Sequence, residues 1–354
     1  MQTISFTLSP ASELQRQITL MQPKGGIFAL CDSNTAELVY PQLREECHAL
    51  TDATLIVTPA GDDNKTLPHL SAIWEYLQRN GATRHSLMIN IGGGMVTDMG
   101  AFAAATFKRG MKWINLPTTV LGAVDAAVGG KTGINFHQFK NEIGVFAEAE
   151  SVIISPAFFG TLPRQELLSG YAEMIKHALL QGIDDTLALL EQDPATLSQL
   201  QMLELLERSV KVKQRIVAID PHEQGLRKAL NLGHTFGHAF ESWHLKSGTP
   251  VPHGYAVAWG LVCALVLSHL RFKFDSALLR RVARYVERNY GTPALRCNHY
   301  NELIELMRHD KKNIDADHIQ FTLLHSPGNP EIACEASDDD IKATLDLMRD
   351  LLHI

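Results

Sequence analysis

The stretch SLMINIGGGMVTDMGAFAAAT, residues 86–106, decides the fold. Its apolar run 87–91 reads as a short buried strand, Gly92-Gly93-Gly94 as a tight turn, and 95–106 as a helix. Consecutive glycines let a backbone approach a pyrophosphate closely, and the free N–H groups and dipole of the following helix attract its charge. Gly93, Gly94 and Asp98, in the first turn of that helix, are therefore candidate dinucleotide contacts. The pattern is not the GxGxxG fingerprint and falls on the third such unit of the chain. On the glycines alone, a plain strand-to-helix turn is an equal reading.

Working outward, the same rhythm recurs on both sides. Run 26–31 precedes helical segment 34–47, run 54–58 precedes 66–80, and further apolar runs at 112–116 and 151–154 end at Pro117 and Pro156. Short apolar runs alternating with helices predict a parallel sheet with crossover helices. From Pro163 the period becomes helical over 164–180, 199–219, 228–243, 255–270 and 276–288, with only 318–324 suggesting a strand. The expectation is two domains, 1–162 of α/β nucleotide-binding type and 163–354 mainly α-helical.

Composition narrows the function. At 354 residues and 45% hydrophobic content, two cores can be filled. A net charge of −7 with interspersed Lys and Arg gives no reason to expect nucleic acid, so an anionic ligand must be met by a local cluster. The cysteines (Cys31, Cys47, Cys263, Cys297, Cys334) are odd in number, scattered and mostly in apolar sequence, which reads as reduced, buried thiols. The first ten residues lack a signal-peptide pattern, and the longest apolar stretch, 255–270, is too short to span a bilayer and suits a core helix. A soluble, cytoplasmic protein without a membrane partner is expected.

Polar residues follow the predicted strands. Asp32 and Asn34 come after the first and can reach an adenosine ribose or adenine, or cap a helix; Thr118 and Thr119, after Pro117, can bond a cofactor or cap. In NLGHTFGHAFE, 231–241, His234 and His238 stand four residues apart on one helical face. Two such imidazoles can share a metal, or one can bind metal while the other handles protons or phosphate. His253-Gly254 opens the next helix, and Glu173 lies in GYAEMIKH, 170–177. One Glu and two His would make an ordinary hydrolytic-type zinc set with positions open for substrate. His177, His222 and His244 read as structural.

An anion-binding reading attaches to VDAAVGGKTGIN, 124–135, which joins Asp125, two glycines and Lys131. Lys140, Asn141, Lys176, Lys213, Arg227, Lys311 and Lys312 add polar and cationic groups at the edges of predicted helices, where a solvated face is the default for each cation alone.

These residues in this order resemble the 3-dehydroquinate synthase family, closely so from Ile89 to Gly260. The segments carrying the resemblance are IGGGMVTDMGAFAAATFKRG, LPTTVLGAVDAAVGGKTGIN, FKNEIGVF, TLPRQELLSGYAEMIKH, GLRKALNLGHTFGHAFE and HGYAVAWG, with DKKN near the C-terminus. The resemblance implies a Rossmann-like N-terminal domain, a helical C-terminal domain and a homodimer. It also implies NAD as cofactor, with Asp62, Lys65 and Lys140 joining Asp32, Asn34, Gly93, Gly94, Asp98, Thr118 and Thr119 around it. Glu173, His234 and His253 would ligate Zn2+ (or Co2+), leaving His238 as a site histidine.

Carried over in the same way, Asp125, Lys131, Asn141, Lys176, Lys213, Glu223, Arg227, Asn231 and Lys311 surround a sugar phosphate, and Arg109 reaches the phosphate from the neighbouring subunit. The implied reaction is transient oxidation by NAD, phosphate elimination, reduction, ring opening and intramolecular aldol closure. Lys131, Asn141, Lys176 and His238 would position the phosphate, Arg227 and Lys311 the carboxylate, and Glu223 and Lys213 would assist proton transfer.

The chain departs from the family pattern in two places. Ala126-Ala127 stands where Ser-Ser is common, and Gly61-Asp62 where Gly-Glu is common, which shortens a ribose contact. Three other readings compete: a sister sugar phosphate cyclase, a metal-dependent polyol dehydrogenase of glycerol dehydrogenase type, and a silent dinucleotide-binding regulator. Arg227, Asn231 and Lys311 favour a carboxylate-bearing substrate over the first. The phosphate set argues against the second, and the full set of ionisable residues against the third.

Overall fold

The computed structural model describes residues 2–137, 139–308 and 319–354. The chain forms two compact units, Met1–Pro163 with Leu197–Val210, and Arg164–Thr196 with Lys211–Ile354.

The first unit runs β1 (Thr3–Phe6), α1 (Pro10–Met21), β2 (Ile27–Asp32), α2 (Ser33–Leu38), α3 (Tyr40–Glu46), β3 (Thr54–Thr58), α4 (Leu67–Arg79), β4 (Leu87–Gly92), α5 (Gly94–Thr106), β5 (Lys112–Pro117), β6 (Lys131–Phe136), β7 (Phe139–Phe146) and β8 (Ser151–Ile154). Six strands make one sheet in the order β1-β8-β5-β4-β2-β3, with every pair parallel, as the alternating pattern predicts. β4 is buried along its whole length, which is why it reads as a continuous apolar run rather than an alternation. On one face Ala29, Cys31, Ile89, Ile91, Ile114 and Leu116 pack with Leu14 and Ile18 of α1 and Leu43 of α3. On the other, Gly100 of α5 leaves no room for a side chain, since an added Cβ would lie 2.2 Å from Asn90 Oδ1.

Three local expectations change. The helix expected over 34–47 is two short helices, because Pro41, at the start of α3, has no N–H to continue α2. β1 carries too few residues to announce itself. Lys140 and Asn141, expected at a helix edge, lie on β7, antiparallel to β6.

The strand order places the ligand crevice. From β2 the chain steps outward to β3, then returns across β2 to β4 and continues to β5 and β8. The direction of winding reverses between β2 and β4, and crevices form at the carboxyl ends of such strands. Those ends are Asp32 and Gly92.

The second unit contains α6 (Arg164–Gln181), α7 (Ile183–Leu190), the end of α8 (Gln199–Ile219), α9 (His234–Lys246), α10 (His253–Phe272), α11 (Ser276–Tyr290), α12 (Tyr300–Arg308), an antiparallel pair β9 (Gln320–Ser326) and β10 (Asn329–Glu335), and α13 (Asp338–Leu351). The helix expected from 228 begins at His234, since residues Leu226–Asn231 take a tighter 3-10 turn. Gly233 ends that turn with φ +78, where an added Cβ would sit 2.8 Å from the Leu261 amide. At 20 residues α10 is long and apolar enough to cross a membrane, contrary to the shorter segment expected, yet it is mostly buried within this unit.

Candidate active site

In the second unit three helices converge because glycine keeps them close. A Cβ on Gly254 of α10 would lie 1.9 Å from the Ser169 carbonyl of α6, and one on Gly260 2.1 Å from that of Gly233. Gly237 of α9 similarly faces the Ala256 carbonyl at 3.1 Å. This contact brings Glu173 of α6, His234 of α9 and His253 of α10 together, with one ligand atom of each within 4.8 Å of the others.

Glu173 is fully buried. Its Oε1 lies 3.3 Å from His234 Nε2 and 3.6 Å from His253 Nε2, and Lys176 Nζ contacts its Oε2. Neither carboxylate oxygen makes a hydrogen bond of acceptable geometry. A buried carboxylate faced by two imidazole nitrogens is the donor set of a divalent cation. The residues therefore fit a metal.

Burial opposes ionisation of Glu173, but the Lys176 ammonium and the His234 ring outweigh it and hold the carboxyl well below the usual range. Burial would likewise lower His253, yet the Glu173 and Glu241 carboxylates beside it push it up to about 10. His238, one turn beyond His234, has its ring 5.4 Å from that of His234 and 5.9 Å from that of His253, on the edge of the set. Lys176 and Lys213 are buried inside α6 and α8, and Arg227 is 2% exposed, so the solvated-face reading fails for all three.

A loop before the 3-10 turn arranges the remaining candidates of this unit. Asp220 accepts the amides of Gln224 (3.0 Å), Gly225 (2.7 Å) and Arg227 (3.1 Å). Against a burial effect, these amides hold its carboxyl below the ordinary range. The turn leaves Glu223 in the left-handed region at φ 58, with Oε1 accepting Asn231 Nδ2 at 3.2 Å. Arg227 Nη1 donates to the Pro221 carbonyl at 2.6 Å. Lys311 lies outside the described residues.

Several candidates of the first unit lie at the carboxyl ends of its strands. Gly93 is extended, not left-handed; an added Cβ there would crowd Thr119, whose Cγ2 would lie 3.1 Å away. Gly94 opens α5, and a Cβ there would meet that of Ala126 at 3.1 Å. Asp32 caps α2, its Oδ1 accepting the amides of Asn34 and Thr35 at 2.9 Å, and Thr119 Oγ1 accepts the Gly122 amide at 3.0 Å. The capping reading of both is thus realised. Asn34 is exposed, and the Thr118 amide bonds the Gly92 carbonyl at 2.9 Å.

Lys65 is buried and pairs with Asp98 and Asn141. Asn141 is itself left-handed, with its amide on Asn135 Oδ1 at 2.9 Å, and Lys140 pairs with Asp62 at 3.5 Å. Asn141, which the resemblance implies beside the phosphate, is thus in contact with Lys65 of the dinucleotide candidates. Asp125 lies in the irregular turn Gly122–Ala126, and Lys131 is exposed at the start of β6. Lys108 and Arg109 are both left-handed, a strained turn that sets Arg109 in solvent.

The sequence reading missed Glu241, Asp220 and Asn135. Glu241 had a signal, seven residues after His234 on the same helical face. Asp220 had none, because its partners are backbone amides.

Comparison with known proteins bears on the whole chain. A family model described as 3-dehydroquinate synthase N-terminal matches residues 55–169, and one described as 3-dehydroquinate synthase C-terminal matches 170–313. The chain is similar to the 3-dehydroquinate synthase of Parabacteroides distasonis, at 47% identity over 93% of this chain and 92% of that protein. It is also similar to that of Pyrococcus abyssi, at 43% over 74% and 76%. Among solved structures, 2-deoxy-scyllo-inosose synthase complexed with carbaglucose-6-phosphate, NAD+ and Co2+ superposes with a TM-score of 0.84 at 19% identity, covering 98% of this chain and 96% of that one. A probable glycerol dehydrogenase from Sinorhizobium meliloti 1021 gives 0.64 at 13%, covering 99% and 98%. At such identities the structures speak to fold alone.

Proposed function

The chain belongs to the 3-dehydroquinate synthase family, and on that premise we propose that it converts 3-deoxy-D-arabino-heptulosonate 7-phosphate to 3-dehydroquinate and phosphate. This is a carbon–oxygen lyase reaction of the shikimate pathway, in the biosynthesis of aromatic amino acids. The observation that carries the reading is the buried Glu173, without a hydrogen bond of acceptable geometry, facing two imidazole nitrogens. A sugar phosphate cyclase needs such a site to polarise vicinal hydroxyls. A silent dinucleotide-binding protein would have no use for it.

When bound, NAD supplies a reversible redox couple and Zn2+ or Co2+ supplies Lewis acidity. Glu173, His234 and His253 would hold the metal. Residues 1–162 would bind the dinucleotide, through the Gly93-Gly94 turn and helix α5 for its pyrophosphate, with Asp32, Asn34, Asp62, Lys65, Asp98, Thr118, Thr119 and Lys140 around it. Residues 163–354 would supply the metal and most of the substrate groups. Lys131, Asn141, Lys176 and His238 bind and orient the phosphate, so that its departing charge meets cations and donors already in position. Arg227 and Lys311 take the carboxylate, where a guanidinium allows a bidentate grip. Glu223 and Lys213 hold or move protons at the hydroxyls, while Asp125 and Asn231 orient them. A homodimer would let Arg109 reach the phosphate of the neighbouring subunit.

The unpaired state of all five cysteines, four buried and Cys297 exposed, supports work in the reducing cytoplasm. The test is to give the purified, metal-loaded protein this substrate with catalytic NAD and to follow inorganic phosphate together with the absorbance of reduced cofactor. Phosphate released over many turnovers with no net reduced cofactor is expected. Net reduction would make the protein a dehydrogenase. Phosphate from another sugar phosphate only would make it a sister cyclase.

A further inference from the structure

His234 and His253 present the same nitrogen, Nε2, to Glu173, but their other nitrogens are held in different ways. His234 Nδ1 lies 3.2 Å from the carbonyl of Leu232, two residues earlier in the backbone. His253 Nδ1 lies 3.0 Å from Glu241 Oε2, a side chain on the preceding helix. A ring whose Nδ1–H has an acceptor is fixed in both orientation and tautomer, and its Nε2 lone pair is left for a cation. For His234 the backbone carbonyl just before Gly233 does this. For His253, the first residue of α10 after the loop that joins it to α9, no backbone carbonyl among the described residues takes that role.

We propose that Glu241 is a positioning residue of the metal centre, accepting the Nδ1–H of His253 and so holding the Nε2 of that ring toward the cation. The inference rests on the reading of Glu173, His234 and His253 as metal ligands. Three further observations carry it. Glu241 is largely enclosed, with its side chain 16% exposed against 26% for His253, so the contact is only partly open to water. It lies seven residues after His234 on α9, so one helix provides a ligand and, two turns on, the group that orients a ligand of the next helix. The partner is a carboxylate, which accepts a stronger hydrogen bond than the carbonyl serving His234.

Glu241→Met and Glu241→Gln test this, since both match glutamate in length and only the glutamine retains an acceptor oxygen. Co2+ affinity, measured by chelator competition on the full-length protein, should fall about 10- to 100-fold in Glu241→Met and less than about tenfold in Glu241→Gln. The visible spectrum of bound Co2+ should change in Glu241→Met and stay close to wild type in Glu241→Gln. In a His253→Ala background, Glu241→Met should cost no further affinity, because the ring it orients is gone.

Equal losses in the two variants, wild-type affinity in Glu241→Met, or an undiminished loss in the His253→Ala background would each overturn the assignment. A wild-type protein that takes up no Co2+ would overturn the metal reading as well. Wild-type uptake with an unaffected Glu241→Met removes Glu241 alone.

Discussion

The glycine crevice of the first unit and the glycine-packed pocket of the second use the same residue for opposite ends. At the crevice several side chains already have protein partners: Asp32 Oδ1 and Thr119 serve as caps, and Lys65 is paired with Asp98 and Asn141. What remains for a ligand there is the N-terminus of α5, backbone that Gly93 and Gly94 leave uncovered. In the pocket the glycines face protein, drawing α6, α9 and α10 so close that Glu173 and two imidazoles meet without satisfying one another. On the proposed reading the first region would hold a pyrophosphate chiefly with backbone and the second a metal with side chains. The two should therefore fail independently.

The sharpest break is chemical. Stripping the metal with a chelator, or replacing Glu173 with Ala, should reduce turnover on the order of a thousandfold or more, the several kcal/mol that a Lewis acid contributes. Dinucleotide affinity, measured by titration calorimetry, should stay within a few fold. Loss of both together would mean that the first unit does not bind on its own.

Glycine substitutions separate packing from approach. Gly254→Ala puts a methyl 1.9 Å from the Ser169 carbonyl, a backbone atom that can yield only if α10 leaves α6. Helix propensity returns about 1 kcal/mol, overpacking costs about 3 kcal/mol, and the net loss of about 2 kcal/mol should appear in denaturant unfolding with weaker Co2+ binding. Gly94→Ala meets only another methyl, at 3.1 Å, so stability should change by less than about 0.5 kcal/mol. Its effect should fall on dinucleotide affinity. A Gly94→Ala variant that binds normally would return this turn to the plain strand-to-helix reading.

The same contrast explains what could be read from the sequence. The parallel sheet was legible because β2, β3, β4 and β5 are apolar runs set between helices; the metal set Glu173, His234 and His253 came from the family resemblance, since the spacing of His234 and His238 alone left open which imidazoles share a cation. Burial of Lys65, Lys176 and Lys213 was not legible. A lysine inside a helix has the same spacing whether it faces solvent or a carboxylate, and only the fold chooses. Nor was the hairpin β6–β7, since VDAAVGGKTGIN has glycines enough for a loop and too little alternation to declare a strand. Asp220 was hidden for a third reason: it organises Glu223 and Arg227 through backbone amides, which leave no trace in residue identity.

A subtler test uses protons. His253 stands at about 10 in the metal-free protein, above its ordinary 6.5. A raised folded-state value stabilises the fold below the unfolded value, and that stabilisation is lost as pH rises through the folded one. Metal-free protein should thus lose thermal stability between about pH 6.5 and 10. Co2+ affinity should rise over the same interval by about tenfold per pH unit, as the cation displaces one proton. Dinucleotide affinity should follow neither trend, and a parallel pH dependence would show the two regions to be coupled.

The smallest expected effect bears on whether a cap can also be a ligand. Asp32 lies at the switch point, where a ribose would be met, yet Oδ1 is committed to the Asn34 and Thr35 amides. Asp32→Ala should cost about 1 kcal/mol in unfolding free energy, the usual loss of an N-cap, whereas Asp32→Ser should cost a few tenths, because serine caps nearly as well. If the crevice binds with backbone alone, dinucleotide affinity should be the same in both variants once stability is allowed for. If the second carboxylate oxygen holds a ribose hydroxyl, Asp32→Ser should bind as poorly as Asp32→Ala while unfolding like wild type. In that event the crevice uses a side chain after all, and the division between the two regions narrows to the glycine turn itself.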